Sequence, residues 1–213
     1  MMALADQYFV EKQEGAVEYA PVKAEKTKML WKPKNDVLYA TTTESGMIMY
    51  DEISNFEGTT AYGPKEMRGD GVYHFDRADL FSNQMILKSI TFDADTADFN
   101  LKDYENEDAF ALKTTNVNAH VDYKDRFVNF KANGKATPIE FPINQYICFM
   151  EAFKWYMDNG AIDLTSSKQT EVAADVKLEG SKFISTNPKQ DSLLFYSPVA
   201  RYDSRRHKIS ARD

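Results

Sequence analysis

The sequence predicts an all-β chain, an elongated stack of antiparallel hairpins of the jelly-roll or solenoid-like kind. Three observations carry that expectation. Turn signals recur at short intervals with alternating apolar residues on either side. A short unit built around aspartate repeats along the chain. The 43% of hydrophobic residues are mostly scattered singly between polar ones, as in sheets with one wet face.

Taken in order, residues 1–35 read as an N-terminal extension or first strands, and 36–213 as a continuous hairpin array. "DVLYATTTESGMIMYD" has strands about Ser45-Gly46. "FVNFKANGKATPIEFP" places Phe127 and Phe130 before Asn133-Gly134, and Ile139 and Phe141 after it. "FKWYMDNGAIDL" alternates Phe153, Trp155 and Met157, turns at Asn159-Gly160, and returns through Ile162 and Leu164. Asn-Gly is the strongest short hairpin signal, because a type I′ turn needs positive φ at both central residues. A further turn is expected at Gly180. One short helix is expected near 144–153, where Tyr146, Phe149, Met150 and Phe153 stand at helical spacing and Asn144 could cap the start; the same residues could instead run into the following strand. Glu171 to Leu178 fits a helix or a strand. No Pro/Ser/Gly-rich linker divides the chain, and its weakest boundary is "TSSKQT" at 165–170.

The repeated unit is a β-former, Asp, four residues, then Phe. It occurs as Tyr50-Asp51 with Phe56, Phe75-Asp76 with Phe81, and Val121-Asp122 with Phe127; Tyr202-Asp203 is a fourth copy with Lys208 in the last place. Side chains alternate across a strand, so the positions one and three before the Asp share an inner face. The Asp shares the outer face with Met49, His74, His120 or Arg201. Its carboxylate then starts a turn by accepting from amides one or two residues on. A longer echo aligns Ser89, Phe92, Ala97 and Phe99 with Ser192, Phe195, Ala200 and Tyr202. The spacing is irregular, which suits successive hairpins stacked on one another rather than a strict-period solenoid.

The chemistry-bearing candidates weigh lightly. A net charge of −7 disfavours nucleic acid and anionic membranes. Cys148 stands alone between Ile147 and Phe149 and reads as a buried apolar residue. No signal peptide is visible and no run approaches a transmembrane helix; "RRHKISARD" stops inside what reads as a strand, as in a piece of a longer protein. His74 shares a strand face with Asp76 and has Asp79 across the turn, and His120 repeats the arrangement with Asp122, but no second His or Cys stands at zinc-ligand spacing. Asp93, Asp95 and Asp98 lack the glycine and distal glutamate of a calcium loop. No aspartate pair stands out for glycoside hydrolysis. The aromatic segment Tyr146, Phe149, Phe153, Trp155 and Tyr156 reads first as core. Its functional alternative is a groove or platform for an acyl chain or sugar ring, with Tyr146, Phe153 and Trp155 as ligand-binding candidates.

"TFDADTADFNL", with Ala97-Asp98-Phe99-Asn100, and "SPVARYDSRRHKISA", with Ala200-Arg201-Tyr202-Asp203, resemble the strand–turn–strand phrasing of OstA-like lipopolysaccharide-transport proteins. "MIMYDEISNFEGTTAYG" adds a Tyr-Asp turn followed by Gly. "FPINQY", "FKWYMDNGAIDL" and "FISTNPKQDSLLFYSPVARYD" are similar to stretches of very large uncharacterised β-repeat envelope proteins. The resemblance covers residues 40–213. It implies an OstA-like β-jelly-roll or open coil in the bacterial periplasm or cell envelope, with a groove for lipid or lipopolysaccharide and units joined through strand edges. The expected function is therefore a non-enzymatic, scaffolding β-repeat segment with an apolar groove, needing no cofactor or metal and partnered by adjacent β units. The rival is an extracellular carbohydrate-binding or adhesin-like module stacking sugars on Trp155 or Trp31; a hydrolase built on aspartates ranks below both.

Overall fold

The structure, a computed structural model, describes residues 2–50, 52, 54–134, 137–167, 169–173 and 176–212, with 169–173 and 176–178 as backbone. It is all-β and antiparallel throughout its registered strand pairs. The chain divides into two compact units, Met1–Ala97 with His120–Asp125, and Asp98–Ala119 with Arg126–Asp213.

The first unit is a meander of β1 (Met2–Val10), β2 (Val22–Lys32), β3 (Val37–Thr41), β4 (Met47–Met49), β5 (Asn55–Tyr62), β6 (Met67–Phe75) and β7 (Ala78–Leu87), with parts of β8 (Thr91–Lys102) and β9 (Phe110–Asp122). β3 and β4 share the same two neighbours. Both pair with β2 on one side and with β5 on the other. They are therefore two halves of one broken strand, and Ser45-Gly46 is not the hairpin turn the sequence led us to expect. It is a bend.

The same interruption crosses the neighbouring strands. The in–out alternation slips through two consecutive exposed residues at Glu25-Lys26, Asn83-Gln84 and Asp95-Thr96. β5 and β6 cross the line through Gly58 opposite Gly71, and a bulge follows between Gly69 and Gly71. A bulge leaves backbone groups outside the ladder, and buried ones need partners. Small polar side chains and adjacent amides supply them. The Thr43 hydroxyl donates to the Lys26 carbonyl, the Thr42 amide donates to the Gly58 carbonyl at 3.0 Å, and the Ser82 hydroxyl donates to the Thr96 carbonyl at 2.7 Å.

This line is a crease. A flat ten-residue strand would hold its ends about 33 Å apart, yet the two ends of these strands touch. From one end, the Tyr19 hydroxyl donates to the Gly63 carbonyl at the other, 2.8 Å away. The Glu18 carboxylate accepts from the Ser89 hydroxyl, and the Tyr50 hydroxyl donates to the Thr91 carbonyl at 2.9 Å. Between the two arms lie Tyr73, Phe75, Phe92 and Tyr123, with Tyr73 and Phe92 rings 5.1 Å apart and the Tyr50 and Tyr123 rings stacked at 4.4 Å. The sheet has folded over onto itself and buried one face.

The second unit repeats the device with β10 (Phe127–Ala132), β11 (Ile139–Phe141), β12 (Tyr146–Cys148), β13 (Ala152–Tyr156), β14 (Ala161–Thr165), a hairpin of β15 (Gln169–Ala173) and β16 (Val176–Glu179), β17 (Ser181–Ser185), a 3-10 turn at Pro188–Gln190, β18 (Leu194–Ser197), β19 (Val199–Asp203) and β20 (Lys208–Arg212). β10 pairs with β13 while β11, its continuation, pairs with β12. Next, β14 pairs with β13 and β19, while β17 pairs with β12 and β18. Asn133-Gly134 and Gly180 therefore also lie at breaks inside long strands, where the sequence predicted hairpins. Asn159-Gly160 does turn a hairpin, between β13 and β14. The bends again lie side by side. The Asn133 amide donates to the Asn116 carbonyl at 3.2 Å, the Ala132 amide to the Glu151 carbonyl at 2.9 Å, and the Ser166 amide to the Pro198 carbonyl at 2.8 Å. Phe99, Phe130, Phe153 and Trp155 fill the space between the arms, as do Phe141 and Tyr202 with rings 4.9 Å apart.

The helix expected near 144–153 is absent. Residues Pro142 to Gln145 form a turn closed by a 3.2 Å hydrogen bond, with Gln145 at φ 57°. β12 and β13 follow on either side of a bend. Cys148, Met150, Phe153 and Trp155 all point inward, and the phase slip at the bend turned a period of two into an apparent helical spacing. Glu171 to Leu178 falls within the β15–β16 hairpin, apart from Ala174 and Asp175, which lie outside the described residues.

Candidate functional site

The histidines were the first candidates for chemistry, and each proves to be joined to an aspartate. His74 and Asp79 stand opposite one another in the β6–β7 register, Nδ1 to Oδ1 2.6 Å. His120 Nδ1 meets Asp93 Oδ1 at 2.6 Å. His207 Nε2 meets Asp103 Oδ1 at 2.7 Å. For His74 the partner is Asp79, the aspartate the sequence placed across the turn, rather than its strand neighbour Asp76; for His120 it is Asp93 rather than Asp122, since cross-strand neighbours meet.

Asp93 is the centre of the busiest of these clusters. Burial raises its pKa, but hydrogen bonds from Lys88 at 2.7 Å and from His120 outweigh that and hold the carboxyl below its usual value. Asp95 is exposed on the same strand, while Asp98 accepts from the Asn116 amide at 3.1 Å. Phe92, Ala94, Ala97 and Phe99, which alternate with and flank them, are buried, so the aspartates of "DADTAD" lie on the wet face of a strand. Among the described residues no group of three or more His, Cys, Asp and Glu could hold a metal ion.

The aspartate unit makes turns. Asp122 accepts from the amides of Lys124 and Asp125, both at 2.9 Å, and Asp203 from those of Arg205 at 3.1 Å and Arg206 at 3.2 Å. The amides are two and three residues on, one further than expected, and Arg126 and His207 close these turns at φ 53° and 51°. Asp76 at φ 49° forms a tighter two-residue turn with Arg77, since Phe75 already pairs with Ala78. The predicted inner residues Tyr73, Phe75, Ala119, Val121, Ala200 and Tyr202 are buried. The first copy is out of phase, with Met49 buried and Ile48 exposed, and Tyr50 follows at φ 62°; Asp51 lies outside the described residues. The terminal Phe has no common face, being buried at Phe56 and exposed at Phe81.

Of the three ligand-binding candidates, Phe153 and Trp155 lie buried between the arms. Phe153 stacks on Phe130 at 4.3 Å. Tyr146 is half-buried, and its hydroxyl donates to Gln190 at 3.1 Å. Trp31 is 36% exposed on β2. Cys148 is buried, and desolvation pushes its thiol up to about 12, which removes the thiolate needed for nucleophilic work.

The sequence had not indicated the locks between strand ends. Asp103 and His207 are separated by 104 positions. Asp103 is buried, its other oxygen accepts from the Asn106 amide at 3.1 Å, and the Asn144 side chain donates to the His207 carbonyl at 2.5 Å. The Arg205 guanidinium lies 5.1 Å over the Tyr104 ring beside them. In the first unit an open depression of about 650 Å³ lies beside the Glu18–Ser89 lock, lined also by Lys12, Tyr123 and Lys124. A His–Asp pair performs acid–base work when it reaches a substrate proton; here the pairs tie strand to strand or end to end.

Among the described residues large apolar side chains are exposed at several places, Phe81, Leu193, Leu194 and Val199 included, and the three most exposed lie on β1. β1 has its register partners in β2, and it exposes Met2 by 62%, Leu4 by 80% and Phe9 by 66%. No helix of the described residues is long and apolar enough to cross a membrane. The chain matches no family model, no curated protein and no solved structure.

Proposed function

We propose that this chain is a non-enzymatic scaffolding segment of a bacterial cell-envelope protein, an OstA-like β-repeat unit that joins adjacent β units through strand edges. The observation that carries the reading is β1. An edge strand is ordinarily blunted by lysines, proline or shortness; β1 is nine residues long, has Asp6 as its one charged residue, and presents three large apolar side chains to solvent. In the second unit β20 carries Lys208 and Arg212 behind Arg205 and Arg206, the charged kind of strand.

Scaffolding is favoured over lipid carriage by the filled interiors. A groove for acyl chains needs open space between the arms. That space holds Phe92, Phe99, Trp155 and Tyr202 instead. Lipid or lipopolysaccharide could enter only if the end-to-end locks parted. A carbohydrate platform finds its one half-exposed tryptophan in Trp31, a weaker basis than β1. Native mass spectrometry of the purified chain tests the choice. The bare polypeptide mass is expected, and a co-purifying acyl-chain lipid would overturn scaffolding in favour of carriage.

A further inference from the structure

The chain contains Asn-Gly twice, and the fold treats the two copies in opposite ways. Asn133-Gly134 is exposed at the bend between β10 and β11. Among the described residues the Gly134 amide, the nitrogen that faces the Asn133 side chain, donates no backbone hydrogen bond; one of the contacts of that side chain is a 3.5 Å hydrogen bond to Asn116 Oδ1. Asn159-Gly160 turns the β13–β14 hairpin under tight restraint. The Gly160 amide donates to the Tyr156 carbonyl at 2.9 Å. Asn159 Oδ1 accepts from the Ala161 amide at 2.8 Å. Gly160 is buried, and its carbonyl accepts the Ser204 hydroxyl at 2.6 Å.

We propose that Asn133 is a site of spontaneous covalent modification, deamidation through a cyclic imide, and that the fold protects Asn159 from the same reaction. The Gly134 backbone nitrogen gives up its proton and attacks Asn133 Cγ. A new C–N bond closes the five-membered ring as the bond to Nδ2 breaks, and Nδ2 leaves as ammonia. Water then opens either carbonyl of the imide to give aspartate or isoaspartate. Nothing is oxidised or reduced, and water is the sole co-reactant. Glycine after the asparagine leaves the attacking nitrogen without a side chain to shield it.

At Asn159 the attacking amide is engaged and the glycine is pinned on both sides. The ring cannot close until those hydrogen bonds break, each a net cost of ordinary size, and their combined loss slows the reaction roughly tenfold or more. At Asn133 the product matters to the fold. It exchanges an amide donor facing Asn116 Oδ1 for a carboxylate, and isoaspartate lengthens the backbone beside the Asn133–Asn116 hydrogen bond that crosses the crease.

The test is peptide mapping by mass spectrometry of the folded chain aged at mildly alkaline pH, beside the same chain in urea. In the folded protein the fragment holding Asn133 should gain the acid form roughly tenfold or more faster than that holding Asn159, and in urea the two should converge. Gly134→Ala, whose added carbon among the described residues meets Thr137 Oγ1 at 3.5 Å, should slow Asn133 alone. Equal rates in the folded chain, or a folded Asn133 as slow as Asn159, would overturn the proposal.

Discussion

Gly58 and Gly71 lie opposite each other where β5 and β6 cross the crease, each α-carbon 2.8 Å from where a β-carbon on the other would stand. Both have φ 154°, and an added β-carbon would also meet a carbonyl oxygen of the facing strand, Asp70 at 2.2 Å or Glu57 at 2.1 Å. The close approach of two backbones is what lets these strands bend together. Gly58→Ala and Gly71→Ala should each destabilise the fold by roughly 1–3 kcal/mol from backbone strain alone, read as a lowered urea midpoint. Unchanged midpoints would mean that the crease does not need the bare backbones.

The Asp103–His207 pair holds the strand ends of the second unit together. His207→Ala leaves a buried carboxylate with one partner fewer and should cost roughly 1–3 kcal/mol. Asp103→Asn combined with His207→Ala should cost less than the sum of the single changes, since the two residues share one interaction. Additive losses in urea denaturation would show that they act independently.

Asp93 supplies a pH dependence whose sign is fixed. Its folded pKa is depressed by Lys88 and His120 against the opposing effect of burial, so the ionised form is what folding favours. The contribution is fully present above the unfolded carboxylate value of about 3.9 and is lost as pH falls through the lower folded value. The stability difference between the parent chain and Asp93→Asn should therefore hold near neutral pH and shrink on acidification below about pH 4. A difference that grows towards acid pH would contradict the assignment.

The all-β class was legible because alternation and turn residues are local signals, and the buried residues of the later three aspartate units follow from period two, while the first copy is out of phase. The crease was written in the sequence but misread. Ser45-Gly46, Asn133-Gly134 and Gly180 carry hairpin chemistry, yet a small flexible residue serves a strand that must bend as well as one that must reverse. The reversals at Asp122–Arg126 and Asp203–His207 were announced by their aspartates, while the arginine and histidine that close them at positive φ were not. The Ser89/Ser192 echo spans turn, strand, bend and strand in both copies, β8 and β18–β19. That is why it recurs. The candidate aromatics Phe153 and Trp155 could not be told from a platform, since which face is sealed depends on the folding over. The pairing of Asp103 with His207 had no sequence signal, for it arises only when distant strand ends meet.

The central claim, that the chain associates through β1, is tested most directly by sedimentation velocity over a range of concentrations. Leu4 and Phe9 point to solvent, so Leu4→Lys with Phe9→Lys installs the charges that normally protect an edge without emptying a core. The parent chain should associate as concentration rises and the double variant should sediment as a monomer throughout. A parent that stays monomeric, or a variant that associates as the parent does, would contradict the scaffold.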